Sequence, residues 1–167
     1  MTLDELNALS RDVAERELAK CCGSTRWASA MAARRPFRNL DQLHRAAHEI
    51  WGSLDGADWL EAFAHHSRIG ERSKGWASEE QSGTRGVAAQ TKERLAKLNH
   101  DYERKFGHVF LICATGKSAD EMLAQLEQRV TNAPATELRV AAEEQAKITR
   151  LRLEKLLSPS RETSRTR

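Results

Sequence analysis

Histidines stand side by side at positions 65 and 66, and glutamates at 79 and 80, within the stretch EAFAHHSRIGERSKGWASEEQSG. An imidazole titrates near neutral pH, so one held beside a carboxylate can pass a proton to or from a reacting group, the chemistry of a general acid/base site. Which member of each pair is available depends on where it points. Successive residues of an α-helix turn by about 100°. In a helix from about Asp58 to His66, His66 falls about 20° from Trp59 and on the side of Phe63, so it points inward. His65 lies between the directions of Asp58 and Glu61 and is solvated. In a helix following Ser78, the residues Val87, Leu95 and Leu98 form the buried stripe. Glu80 projects within about 20° of Val87 and in line with Leu98, whereas Glu79 lies about 80° away. Glu80 therefore faces the core, either as a first-turn acid favoured by the helix dipole or as a functional carboxylate. In the last helix, Arg152 lies within about 40° of Leu138 and Leu156, on the side of Ala142 and Thr149, while Arg150 projects away. A buried guanidinium needs a carboxylate or an anionic ligand. A structural Arg152 to Glu80 pair therefore stands as an alternative to a catalytic task.

Other residue pairs offer competing chemistry. His44 and His48 have the i, i+4 spacing of helical metal ligands, but HRAAH lacks the glutamate directly after the first histidine that the metalloprotease motif requires. Cys21, Cys22 and Cys113 form neither a CxxC nor a zinc-ligand spacing. They read as reduced, buried thiols, with a catalytic cysteine as the lesser alternative. No Gly-rich phosphate loop is present, and the residues call for no metal.

The elements that must carry these residues are helical. Charged residues make up 31% of the 167 and aromatics 5%, with Ala, Leu, Glu, Arg and Lys dominant, which favours helices over a sandwich or barrel. Two short helices are expected through Leu3 to Leu9 and Val13 to Leu18, with Ser10 capping the second. Another runs from Ser24 to about Arg34, and an amphipathic one follows Asn39 through Leu40, Leu43, Ala47, Ile50 and Leu54. Ser78 with Gln81 three residues on reads as a capping box for a long helix toward Tyr102, weakened by Gly83 and Gly86. Ser118 caps SADEMLAQLEQRV, and Pro134 opens a last helix to about Leu157. Before Ser118, five apolar residues, Val109 to Cys113, lie between Gly107 and Gly116; without polar alternation they are buried whether strand or helix. The expectation is a single compact all-α domain over 1–157, with one buried irregular or extended segment near 108–115 and a disordered tail over 158–167.

The formal charge of +3 is concentrated at the end, where three arginines against one glutamate in SPSRETSRTR leave about +1 for the body. With one tyrosine and no basic stripe, the body argues against a nucleic-acid partner. No apolar run reaches the roughly 20 residues that span a bilayer, and the first residues lack a signal-peptide pattern. A cytoplasmic protein without a membrane partner is expected.

Taken in order along the chain, CCGSTRWASAMAARRPF, HHSRIG, WASEEQSG, YERKFGHVFLICATGKSADEML and KITRLRLEKL resemble the 2-oxo-4-hydroxy-4-carboxy-5-ureidoimidazoline decarboxylase family of urate breakdown, from about Leu6 to Leu157. The resemblance implies a cofactor-free enzyme that makes (S)-allantoin and CO2 from this small molecule. It implies His66 as the catalytic histidine of the HPxIG motif, counted back from Gly70, with Glu80 and Arg152 as its partners. It also implies substrate binding by Ser67, Ser78, Gln81 and the segment of Phe110, Leu111, Ile112, Cys113 and Ala114, and a homodimer. Two positions depart from the family pattern: Ser67 replaces the motif's proline, and His108 replaces an aromatic residue after KFG. The ending SRTR is not a peroxisomal signal, which fits a bacterial-type cytoplasmic member.

Overall fold

Most helix starts are set by a short polar side chain bonding a backbone N–H of the first turn, which would otherwise lack a partner. The computed structural model describes residues 1–71, 76–84, 86 and 88–158, apart from the Ser78 side chain, and contains nine α-helices among them. Thr2 and Glu5 form a reciprocal capping box on α1 (Leu3–Ala8). Ser10 precedes α2 (Arg11–Ala19) without making a side-chain cap, contrary to the expectation. Ser24, Asn39 and Asp55 cap α3 (Thr25–Ala33), α4 (Leu40–Ser53) and α5 (Gly56–Phe63). After α6 (Trp76–Glu80) and a 3-10 turn over Ser82–Thr84 come α7 (Ala89–Phe106), α8 (Ala119–Arg129), capped by Ser118, and α9 (Pro134–Leu156), which has proline in its first turn. Val87 and most of the expected tail, 159–167, lie outside the described residues.

The long helix expected after Ser78 does not form. α6 already begins at Trp76, so Ser78 is not its cap, and the chain leaves the helix at Gln81. The cause is a tertiary contact. A Cβ on Gly83 would sit 2.0 Å from the Lys117 carbonyl oxygen, so the turn approaches the start of α8 more closely than any side chain allows, and Gly86 then takes φ +68°. Gly83→Ala is expected to destabilise the fold by about 1–3 kcal/mol through this overlap, measured as a fall in the thermal midpoint.

Two hydrophobic clusters make the interior. The larger one joins α1 to α5 with α9, around Trp27, Met31, Leu43, Phe63 and Leu153. The smaller one joins α7 and α8, around Leu95, Tyr102, Met122 and Leu126. The segment after α7 runs between them as irregular backbone, and its side chains alternate: Leu111 and Cys113 enter the larger cluster, while Phe110, Ile112 and Ala114 enter the smaller. This is the period-2 direction of an extended chain, buried on both faces, as the absence of polar alternation predicts. His108 packs its ring against Phe63, Tyr102 and Phe106, with centroids 5.2, 5.5 and 6.2 Å apart, so it serves as an aromatic filler here. Indole N–H groups lock helices together: Trp27 donates to Ala47 O, Trp51 to Ala142 O and Trp59 to Trp51 O.

Candidate active site

His66 lies three residues past the end of α5, yet its direction is still set by that helix. His65 N–H donates to Ala62 O and His66 N–H to Phe63 O, tight i to i−3 bonds that carry the turn onward. His66 is partly buried. Its Nε2 lies 2.6 Å from Gln145 Oε1, and Gln145 Nε2 lies 3.0 Å from Thr149 Oγ1. Burial, then the nearby Arg152 cation, push the imidazole pKa down to about 4, against the smaller opposing effects of Gln145 and Glu80. The ring is therefore neutral at physiological pH and can accept a proton. His65 is exposed, its ring lying against Gly23, where an added Cβ would meet it at 2.4 Å. Its solvated position matches the rotation argument, although one premise fails. Asp58 is buried, capped against solvent by Arg26 Nη1 at 3.0 Å.

Arg152 and Glu80 form a two-pronged ion pair: Nε donates to Oε1 at 2.8 Å and Nη2 to Oε2 at 3.0 Å. Their side chains are 13% and 11% exposed, so the pair is desolvated enough for its geometry to matter. Glu80 is the last residue of α6, so the first-turn dipole account of its position does not apply. Arg150 is exposed and pairs with Glu154 instead. The structure thus brings Glu80 and Arg152 into direct contact and both into electrostatic range of His66, from α6, α9 and the turn after α5.

The stretch from His66 to Gly70 is fastened at three points, which supplies rigidity where Ser67 replaces proline. Arg68 holds Glu103 through Nε and Nη2 at 2.6 and 3.0 Å, Asn99 Nδ2 donates to Ile69 O, and Gly70 N–H donates to Gln81 Oε1 at 3.1 Å. Gln81 is buried and adjoins Glu80, so its amide sets α6 in register with the His66 loop. Ser67 itself is exposed. Ser78, expected at the substrate, has its side chain outside the described residues.

Phe110, Leu111, Ile112, Cys113 and Ala114 are all buried, and the backbone of this segment is clamped by charged groups. Arg129 Nη1 donates to Leu111 O, Glu144 Oε1 accepts from Cys113 N–H, and Lys117 Nζ donates to Cys113 O. Arg129 is held in turn by Glu137, which also accepts from Tyr102 Oη at 2.6 Å and from Asn132 Nδ2. These anchors of α9, with Gln145, escaped the sequence reading. A signal was available: Glu137, Ala141, Glu144 and Ile148 share one face by 4-3-4 spacing, and Gln145, Thr149 and Arg152 share another by 4-3 spacing. All are buried except Arg152, which is partly so.

The competing chemistries gather less. His44 and His48 line a cleft of about 130 Å³ with Trp51, Thr149 and Arg150, and His44 Nε2 is 3.7 Å from Glu154. Among the described residues no three His, Cys, Asp or Glu side chains converge as metal ligands. The three cysteines are free and buried, and burial pushes Cys21 up to about 12 and Cys22 up to about 11, in the unreactive thiol form.

A family model described as OHCU decarboxylase matches residues 7–154. The uric acid degradation bifunctional protein TTL of Arabidopsis thaliana is 36% identical over 160 residues, covering 90% of this chain and 49% of that protein. The 2-oxo-4-hydroxy-4-carboxy-5-ureidoimidazoline (OHCU) decarboxylase of Amia calva is 32% identical over 138 residues, covering 78% of this chain and 79% of that one. A crystal structure of OHCU decarboxylase in the presence of (S)-allantoin superposes with a TM-score of 0.79 at 39% identity, covering 86% of this chain and 98% of that one. The chain spans about half the length of the plant bifunctional relative. With a helical fold shared at that identity and the family model matched over residues 7–154, the chain belongs to the OHCU decarboxylase family.

Proposed function

We propose that the protein decarboxylates OHCU to (S)-allantoin and CO2 in urate breakdown. The observation that carries this reading is a neutral imidazole beside a two-pronged Arg–Glu pair, in a chain of this family. Loss of the carboxylate as CO2 leaves an electron pair on the hydroxyl-bearing ring carbon, which flows into the adjacent C=N to give an enol; the hydroxyl then gives up its proton and becomes the ring carbonyl, while the neighbouring ureido-bearing carbon gains a proton on one face only. The substrate's own unsaturation takes the electrons, so the reaction needs no cofactor. His66 hydrogen-bonds the substrate hydroxyl and serves as its general acid/base, a contribution of about 10²–10⁴ in rate.

Arg152 spends Nε and Nη2 on Glu80, which leaves Nη1 as the donor for the ring or ureido oxygen that gains charge. Pairing with the departing carboxylate would instead stabilise the ground state. Neutralised by Arg152, Glu80 acts mainly by orienting the guanidinium. This reading takes the clamped backbone of Phe110 to Ala114, with Ser67, Ser78 and Gln81, as the substrate contacts that the resemblance implies. The same reading takes 1–157 as the decarboxylase domain of a cytoplasmic homodimer, supported by the resemblance; no described helix is long and apolar enough to cross a membrane.

The test is the appearance of the (S)-allantoin circular dichroism band from freshly generated OHCU. Accelerated, one-handed product formation is expected; a rate no faster than spontaneous decay, or a racemic product, would refute the reading. Its pH profile adds a prediction. Neutral His66 is the working base, so activity holds above about pH 4 and falls as pH drops through that value, where the ring protonates. An acid limb near 6.5, the ordinary imidazole value, would show that His66 is not held neutral by its surroundings.

A further inference from the structure

We infer that Gln145 is a positioning residue that fixes the tautomer of His66, placing the ring proton on Nε2 and leaving Nδ1 as the unprotonated atom that meets the substrate. What Nδ1 acts on rests on the decarboxylase reading; the tautomer rests on geometry.

Gln145 is fully buried on α9, so both ends of its amide need partners. One end faces His66 Nε2 at 2.6 Å and the other faces Thr149 Oγ1 at 3.0 Å. A carbonyl oxygen only accepts and an amide NH2 only donates, so the orientation of the amide decides which ring nitrogen carries the proton. Gln145 Nε2 donates to the Thr149 hydroxyl, and this turns the amide oxygen toward His66. Nε2 must then be N–H, and in a neutral imidazole Nδ1 is the lone-pair nitrogen. The opposite amide orientation would reverse the assignment.

The relay lies on one element. Gln145, Thr149 and Arg152 occupy one face of α9, so the same helix that presents the guanidinium also sets the ring. The charged and titratable groups bearing on His66 are Arg152 from α9, Glu80 from α6 and the neighbouring His65. None of these is its hydrogen-bond partner among the described residues, so its tautomer is left to Gln145.

Two-bond ¹H–¹⁵N correlation spectra of the histidine rings, recorded on the intact protein, read the tautomer directly. Wild type is expected to show His66 as the Nε2–H form. Gln145→Leu, which keeps the volume but removes the acceptor, is expected to give a mixture of tautomers and to lower kcat about tenfold or more, part of the full general-base contribution, with KM little changed. Thr149→Val leaves Gln145 in place but frees its amide to turn, and should move the spectrum and kcat in the same direction even if Gln145→Leu folds poorly. An Nδ1–H wild-type ring, or ring signals and kcat unmoved by both substitutions, would overturn the inference. A wild-type protein with the Nε2–H ring but no decarboxylation would overturn the functional reading and leave the role of Gln145 standing.

Discussion

His66→Gln is expected to lower allantoin formation by about 10²–10⁴, the usual worth of a positioned acid/base, while leaving the helical circular dichroism spectrum unchanged. Glutamine is close in size and keeps a polar contact to Gln145, so the turn bonds of His65 and His66 to Ala62 and Phe63 survive. What disappears is a group that can take a proton and return it. His65→Gln is the paired control. That ring is exposed, makes its close approach to Gly23, and needs only to be accommodated there; activity should remain near wild type. Equal losses from the two substitutions would mean that the turn, rather than the His66 ring, is what the reaction requires.

The second large effect is expected at the ion pair, where two substitutions separate geometry from charge. Arg152→Lys keeps the positive charge but replaces a planar fork by a point donor, so it cannot hold both Glu80 oxygens and still reach a substrate oxygen. A loss of about 10²–10³ in kcat is expected, the cost of removing one donor aimed at developing charge, with modest loss of stability. Glu80→Ala leaves the mostly buried Arg152 without its carboxylate, and breaking such a pair from one side costs about 3 kcal/mol. For a chain of this size that is a fall of roughly 6–12 °C in the thermal midpoint. Stopped kinetics on one variant and melting curves on both check the division. If Arg152→Lys retained full kcat while Glu80→Ala lost only stability, the pair would be structural, the alternative left open by the sequence.

The fold was largely legible because its boundaries are written in local chemistry. Asn39, Asp55, Ser24 and Ser118 sit where a side-chain oxygen can reach a first-turn N–H, and Pro134 where its missing N–H costs nothing. The break between α6 and α7 was not legible in the same way. Gly83 and Gly86 register only as weak points in a helical pattern, and the contact that makes them necessary, Gly83 against the Lys117 carbonyl, joins residues 34 apart in the chain.

That break also changes why Glu80 faces inward. Its alignment with Leu98 presumed a continuous helix, and no such helix connects them. Glu80 is instead held by Arg152, with its neighbour Gln81 fastened to Gly70. The residue was found through a premise that does not hold. His66 fared better, because the tight bonds after α5 continue its rotation for three residues. The buried polar residues of α9 were missed for a different reason. Glu137, Glu144 and Gln145 occupy core positions only because each has a partner supplied by a distant part of the chain, Tyr102 Oη, the Cys113 N–H and His66. Partners of this kind are invisible until the helices are packed.

The most direct measurement of the central claim is a crystal structure of this protein soaked with (S)-allantoin. The product is expected between the His66 turn, α6 and α9, with an oxygen within hydrogen-bond distance of Arg152 Nη1, a polar atom on the His66 ring, and backbone N–H or C=O groups of Phe110 to Ala114 around it. A product seated elsewhere, such as the cleft beside His44 and His48, with His66 and Arg152 untouched, would contradict the account.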